Sequence, residues 1–134
     1  MSGHTSAALV RVRYAEVDKM GYAYYANYLA WFEVGRCEWL RTLGWTYRQM
    51  EDEDEAMLPV IEAHCDYRLP ARYDDELEIR ATGHLLSPVR ITFAYEVVRR
   101  SDGVTLAAGH TVHAATDLAG RPRRLPDRVR VFFA

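Results

Sequence analysis

The apolar positions change period once along the chain, and that change divides it. Leu9 to Val17 alternates. Val10, Val12 and Tyr14 share one side and Arg11 and Arg13 the other, the signature of a short strand. If the chain stays extended, Asp18 falls on the Tyr14 side. Gly21 then permits a turn that a residue with a Cβ resists. From about Tyr24 to Leu43 the period is helical. Tyr25, Tyr28, Leu29, Phe32, Trp39, Leu40 and Leu43 recur on one side, and Ala30, Trp31 and Val34 occupy others. A helix apolar nearly all round is a buried helix. Gly44 supplies its stop. Thr46 and Gln49 then form a T-x-x-Q capping box, opening a short helix through about Glu53, and the acidic run 51–55 reads as a solvated loop.

From Leu58 onward the period is two. Ile61, Ala63, Cys65, Tyr67 and Leu69 alternate with Glu62, His64, Asp66 and Arg68, predicting a half-buried strand. Residues 70–75 turn the chain. Leu77, Ile79 and Ala81 mark a second strand of this series. Ser87-Pro88 ends it, and Val89, Ile91, Phe93, Tyr95 and Val97 mark a third. Ser101-Asp102-Gly103 is a hairpin signal. Val104, Leu106, Ala108 and Val112 belong to a fourth. Residues 117–122 form another turn, and the tail from Pro126 has room for one helical turn. No helix-length segment separates these four strands, which predicts antiparallel neighbours. One long apolar helix beside a sheet with a face to bury predicts an α+β fold in which the sheet curls around the helix. A chain of 134 residues suits one domain spanning 1–134.

Charge and cysteine content narrow the function. A formal net charge of −2 offers no electrostatic case for nucleic acid. The two cysteines, Cys37 and Cys65, sit in apolar segments and read as reduced thiols rather than a disulfide scaffold. The first nine residues lack the basic and apolar regions of a signal peptide, and no stretch approaches a membrane span. A cytoplasmic protein is the default expectation.

The familiar catalytic signatures are missing: no G-x-S-x-G elbow, no H-E-x-x-H pair, no glycine-rich nucleotide loop. His110 and His113 stand three apart in a strand and diverge, as do His64 and Cys65, so no metal site is expected. Asp18 is the sharp candidate. It precedes a helix whose first N–H groups lack partners and carry partial positive charge, able to hold an oxygen that becomes negative. Plain N-capping is the competing reading, but six or seven residues is too far for a simple cap. A carboxylate beside such donors suits a thioester better than an amide. A thiolate, from a thiol of pKa about 8.5, leaves almost unaided, whereas an amine must be protonated.

Tyr14, Asp18, Gly21, Tyr24, Asn27-Tyr28, Phe32-Glu33 and Arg36 together resemble the 4-hydroxybenzoyl-CoA thioesterase family of the hot-dog fold. The run is similar both to the aryl-CoA enzyme and to the acyl-CoA thioesterases of the Tol-Pal type, and YRLPARYDDELEI (67–79) is similar to the same family. The resemblance implies a five-stranded antiparallel sheet wrapped around the long helix. It also implies a homodimer, often paired again into a tetramer, with active sites at the dimer interface. It makes Asp18 the catalytic carboxylate and the Tyr25 backbone N–H the donor that polarises the thioester carbonyl. Tyr25 stands where many acyl-CoA members carry histidine and the aryl-CoA type carries tyrosine. The family's basic cluster for CoA phosphates is replaced by Ser87-Pro88-Val89, with Arg90 next. Arg90, or Arg99, Arg100, Arg123 and Arg124, are the candidate substitutes, each equally readable as a solvated surface arginine.

The remaining motif residues have paired readings. Tyr14 either hydrogen-bonds near Asp18 or is a core aromatic. Asn27 either satisfies loop backbone or orients Asp18. Tyr22, Tyr24 and Tyr25 could line an acyl pocket. Glu33 and Arg36, at i,i+3, read as a structural pair. Glu16 is solvent-facing or structural. The expected function is therefore an acyl-CoA thioesterase with an acyl-CoA or acyl-carrier-protein thioester as substrate, CoA being part of the substrate rather than a cofactor. The alternatives are a hydratase or dehydratase acting on acyl thioesters, which wants an acid and a histidine together, and a non-catalytic acyl-CoA or acyl-carrier-protein binding module.

Overall fold

The computed structural model describes residues 4–134. The first three residues of the N-terminal stretch, read above as lacking a signal peptide, lie outside the described residues. The elements in chain order are β1 (Thr5–Arg11), a 3₁₀ turn (Tyr14–Glu16), α1 (Asn27–Thr42), α2 (Tyr47–Glu53), β2 (Val60–Tyr67), β3 (Glu76–Ser87), β4 (Arg90–Arg99), β5 (Val104–Ala114) and α3 (Asp127–Phe133). The five strands form one sheet in the order β1-β3-β4-β5-β2, and every pairing is antiparallel. The α1 helix lies against β1 and β3. The expected α+β architecture, a five-stranded antiparallel sheet around one long helix, is the one adopted.

The core explains why. Phe32 stacks on Tyr95 with ring centroids 4.3 Å apart, and Trp39 meets Phe93 edge-on at 5.3 Å. Gly35 brings α1 close to the sheet, because a Cβ there would press into the Ile79 side chain. α3 closes one end of the core by inserting Phe133 against Trp39 and Phe93. Gly44 leaves α1 at φ +86, as its position after the helix requires. The Thr46 hydroxyl caps α2 by accepting the Gln49 N–H at 3.1 Å.

Several elements differ from the expectations, each for a physical reason. The first strand runs Thr5–Arg11 and not to Val17. Glu16 stops it by folding back, its carboxylate accepting the Arg13 N–H at 2.7 Å and leaving the chain in a 3₁₀ turn. Asp18 and Tyr14 therefore do not share an extended side. Helix α1 begins at Asn27 rather than Tyr24. The preceding residues are held instead by cross-bonds, with Tyr24 N–H donating to the Glu16 carbonyl and Ala23 N–H to the Ala71 carbonyl.

The strand β2 is neither half-buried nor beside β3. It forms an edge next to β5 and is exposed along almost its whole length, because α1 packs mainly against β1 and β3 at the opposite edge and touches β2 only near Tyr67. The eight residues 68–75 carry the chain across three interstrand spacings, about 14 Å, which extended chain spans easily. In β5 the alternation changes phase. The pairing shifts between Val97 and Val98, so that both Leu106 and Ala107 are buried, and Thr111 and His113 face inward beyond the bulge instead of Ala108 and Val112. The acidic run 51–55 is not wholly solvated. The Asp54 carboxylate is buried and accepts from the Trp45 indole at 3.0 Å and the Arg128 guanidinium at 2.8 Å.

Candidate active site

Asp18 is held by its own turn. Its Oδ1 accepts the Met20 N–H at 2.9 Å and the Tyr22 N–H at 3.2 Å. Its backbone N–H donates to the Tyr22 carbonyl, and its carbonyl accepts the Gly21 N–H. Gly21 completes the loop at φ +83, a conformation a residue with a Cβ resists. The carboxylate therefore does not cap α1. Among the described residues no cation pairs with it, and Oδ2 accepts no hydrogen bond.

Beside this turn lies a cavity of about 300 Å³, walled by Asp18, Tyr22, Tyr25, Tyr28, Tyr67 and Arg68 among others. Helix α1 reaches it through Tyr28. Tyr25, the residue just before its N-cap, joins from the preceding turn, and β2 reaches it through Tyr67. The tyrosines brace one another. The Tyr67 hydroxyl donates to the Tyr25 carbonyl at 2.9 Å, and the Tyr28 ring meets Tyr67 edge-on at 4.9 Å. Burial, with help from Cys65, pushes the Tyr67 phenol up to about 12, which keeps it a donor at neutral pH. The Tyr28 hydroxyl accepts the Ala71 N–H at 3.1 Å, fixing the crossing segment.

The start of α1 has no side-chain cap. The Asn27 N–H donates to the Tyr24 carbonyl and the Tyr28 N–H to the Tyr25 carbonyl, but the Tyr25 N–H meets no acceptor among the described residues. The cavity thus joins a carboxylate with one uncommitted oxygen to a residue with an uncommitted backbone donor.

The other residues singled out from the sequence are distributed as follows. Tyr24 packs on Tyr25 at 4.7 Å, outside the cavity lining. The Asn27 side chain donates to the Glu16 carbonyl at 2.9 Å, tying the helix start to the 3₁₀ turn rather than to Asp18. Tyr14 is 78% exposed and packs on Tyr73. Glu16 is buried and structural. Arg90 opens β4, seven residues up the strand from Val97, whose β5 partner Ala107 pairs with Tyr67. That places it about 23 Å from the cavity end of the sheet. Arg99 and Arg100 are paired with Asp102 and Glu76, and Arg123 donates to backbone carbonyls. The Glu33–Arg36 pair forms at 3.7 Å.

Tyr28, Tyr67 and Arg68 were not singled out as site residues. The motif 67–79 contained the last two, but only the fold shows that β2 ends beside Asp18. Arg72 stacks over the Tyr22 ring at 4.9 Å and adds a second cation to this edge. No histidine lines the cavity. His64 and His110 stack on each other at 5.5 Å, with His110 bonded to Glu62, while His113 is buried on the opposite face of β5.

Residues 12–133 match the model of the thioesterase-like superfamily. The chain is 30% identical to the acyl-CoA thioesterase YbgC of Haemophilus influenzae, over 92% of this chain and 90% of that one. Its fold is similar to that of a Thermus thermophilus protein, with a TM-score of 0.88 and 32% identity over 97% of this chain and 95% of that one. It is also similar to a DHNA-CoA thioesterase from Staphylococcus aureus, with a TM-score of 0.85 and 30% identity over 92% of this chain and 82% of that one.

Proposed function

The chain belongs to the thioesterase-like superfamily, and from that premise we propose that it hydrolyses an acyl-CoA thioester to the free acid and CoA. The observation that carries the reading is the shared cavity: Asp18, with one carboxylate oxygen unbonded, and Tyr25, with its backbone N–H unbonded, line one space large enough for a small acyl group. The carbonyl oxygen of the substrate accepts from the Tyr25 N–H, which strengthens as that oxygen becomes negative. Asp18 acts either as general base, taking a proton from the water whose oxygen forms the new C–O bond, or as nucleophile, forming a mixed anhydride that water then hydrolyses to free the acid and restore the carboxylate. The C–S bond breaks, and CoA departs as a thiolate that then takes a proton.

The Asx turn supports this role. It holds one carboxylate oxygen and leaves the other for chemistry. Four tyrosines wall the cavity, which favours a flat aryl or short aliphatic acyl group over a long chain. Arg68 and Arg72 lie at its edge and suit the phosphates of CoA better than Arg90 does. The bare strand β2 supports assembly as a homodimer or dimer of dimers. Among the described residues, no helix is long and apolar enough to cross a membrane.

A panel of aliphatic and aryl CoA esters, read with a thiol-reactive dye against Asp18→Ala as blank, tests the proposal. Thiol release above the blank from small acyl esters is expected. Tight binding of the esters without any release would overturn it in favour of a binding module.

A further inference from the structure

The N–H assigned to the thioester carbonyl belongs to the peptide joining Tyr24 to Tyr25. In a planar trans peptide it points opposite to the Tyr24 carbonyl. That carbonyl accepts the Asn27 N–H at 3.0 Å and is turned toward α1, so the Tyr25 N–H points away from the helix. On the other side of the same Cα, the Tyr25 carbonyl accepts the Tyr28 N–H at 3.2 Å. Both bonds are short-range. They lie in a helix start without a side-chain cap, where backbone frays readily.

One long-range bond restrains this segment. The Tyr67 hydroxyl donates to the Tyr25 carbonyl at 2.9 Å, across 42 residues of sequence. The carbonyl then has a donor for each lone pair. Among the described residues, no other side chain bonds to it. Tyr67 is itself firmly anchored. It ends β2 and pairs with Ala107 of β5, and the next two N–H groups, of Arg68 and Leu69, both donate to the Leu106 carbonyl. Burial and the neighbouring Cys65 thiol keep the phenol protonated.

Folding gains little from this hydroxyl. Tyr67 is 45% exposed, and a hydrogen bond open to water contributes little net stability. The packing of β2 on α1 uses only the ring, which meets Tyr28 edge-on at 4.9 Å and Tyr25 at 6.3 Å. What the hydroxyl alone controls is the direction of the peptide groups at residue 25. A donor turned slightly off line loses much of its worth to a developing oxyanion.

We propose that Tyr67 is a positioning residue for thioester hydrolysis, its hydroxyl fixing residue 25 so that the Tyr25 N–H meets the substrate carbonyl. This role rests on the thioesterase reading of the Asp18 cavity. Tyr67 acts through residue 25 and moves no proton.

Tyr67→Phe in the full chain tests it, because it keeps both ring contacts and removes only the hydroxyl. Thiol release from the best CoA ester of the panel should show kcat reduced about tenfold, smaller than the ~10²–10³ lost with a whole donor, and KM within about twofold of wild type. The melting temperature should stay within about five degrees. In the nitrogen–proton spectrum of isotope-labelled protein the Ala26 amide should move, because its nitrogen shares a peptide bond with the carbonyl that loses the hydroxyl. A kcat within about twofold of wild type overturns the proposal. So does a loss carried by KM alone, which marks a substrate contact, and so does an unmoved Ala26 amide. A melting temperature lowered by more than about ten degrees, or failure to fold, marks a structural role and overturns it too. If wild type releases no thiol above the Asp18→Ala blank, the thioesterase reading fails and this role falls with it. Normal wild-type release with unaltered kcat in Tyr67→Phe overturns the positioning role alone.

Discussion

Replacing Asp18 by asparagine isolates the charge from the shape. The Asn Oδ1 can accept the same two N–H groups, from Met20 at 2.9 Å and Tyr22 at 3.2 Å, so the turn persists. Those bonds lose their charge assistance. Since the site is open to solvent, the loss is about 1 kcal/mol or less, a melting shift of a few degrees in a chain this long. Catalysis should suffer far more. Removing a single oxyanion donor costs about 10²–10³ in rate, and the reacting carboxylate should count for no less. A fall in kcat/KM of about 10³ corresponds to about 4 kcal/mol of transition-state stabilisation. The assay is initial-rate thiol release from the best ester of the panel, alongside thermal melting and size-exclusion chromatography of the same preparation. An Asn variant within about threefold of wild type refutes the role of Asp18. A variant that loses activity together with ten degrees or more of melting temperature refutes the claim that the turn survives.

Three further outcomes follow from the same structure. Gly21→Ala forces a Cβ into φ +83 and should cost about 1 kcal/mol, with a parallel loss of thiol release as the Asp18 turn distorts; unchanged melting and rate would contradict it. Burial, aided by the Arg36 charge and opposed by the bond to the Leu58 carbonyl, pushes the His113 imidazole down to about 4. The unfolded chain then binds more protons between pH 6.5 and 4, so this group's contribution is full above 6.5 and is lost as pH falls. The stability gap between wild type and His113→Gln, measured by guanidinium unfolding, should shrink by about 3 kcal/mol from pH 7 to pH 4; a constant gap is the refuting result. Multi-angle light scattering should give at least twice the 15.4 kDa chain mass, because β2 offers a free edge with Val60, Ile61 and Tyr67 exposed; a monomer at micromolar concentration contradicts that assembly.

Local pattern alone determined the parts of this protein that depend on neighbours in sequence. Helical spacing through Tyr28, Phe32, Trp39 and Leu40, the Gly44 stop and the Thr46 cap rest on contacts within one or two turns and form as the residues predict. Leu29 and Val34, however, stay exposed, so α1 is not buried all round, and Gln49 does not close a reciprocal capping box. Alternation likewise identified Leu77, Ile79, Ile91, Phe93 and Val97 as inward-facing. Asp18 stood out because an acid shortly before a helix start is legible in a few consecutive residues, and Tyr25 because the resemblance of that run to a known family implies its role. What only the tertiary structure decided involves distant segments. Alternation in β2 says that one side is apolar, not how fully a helix lies against it, and α1 packs mainly against β1 and β3 at the opposite edge. The phase change at Leu106 follows from register with β4, which no residue in β5 announces by itself. Tyr67 and Arg68 come to Asp18 only because residues 68–75 carry the chain across the sheet. The tyrosine walls of the cavity are thus a property of strand order. The approach of Tyr47 to Arg36 depends in the same way on how α2 lies against α1, a matter of packing geometry rather than of period.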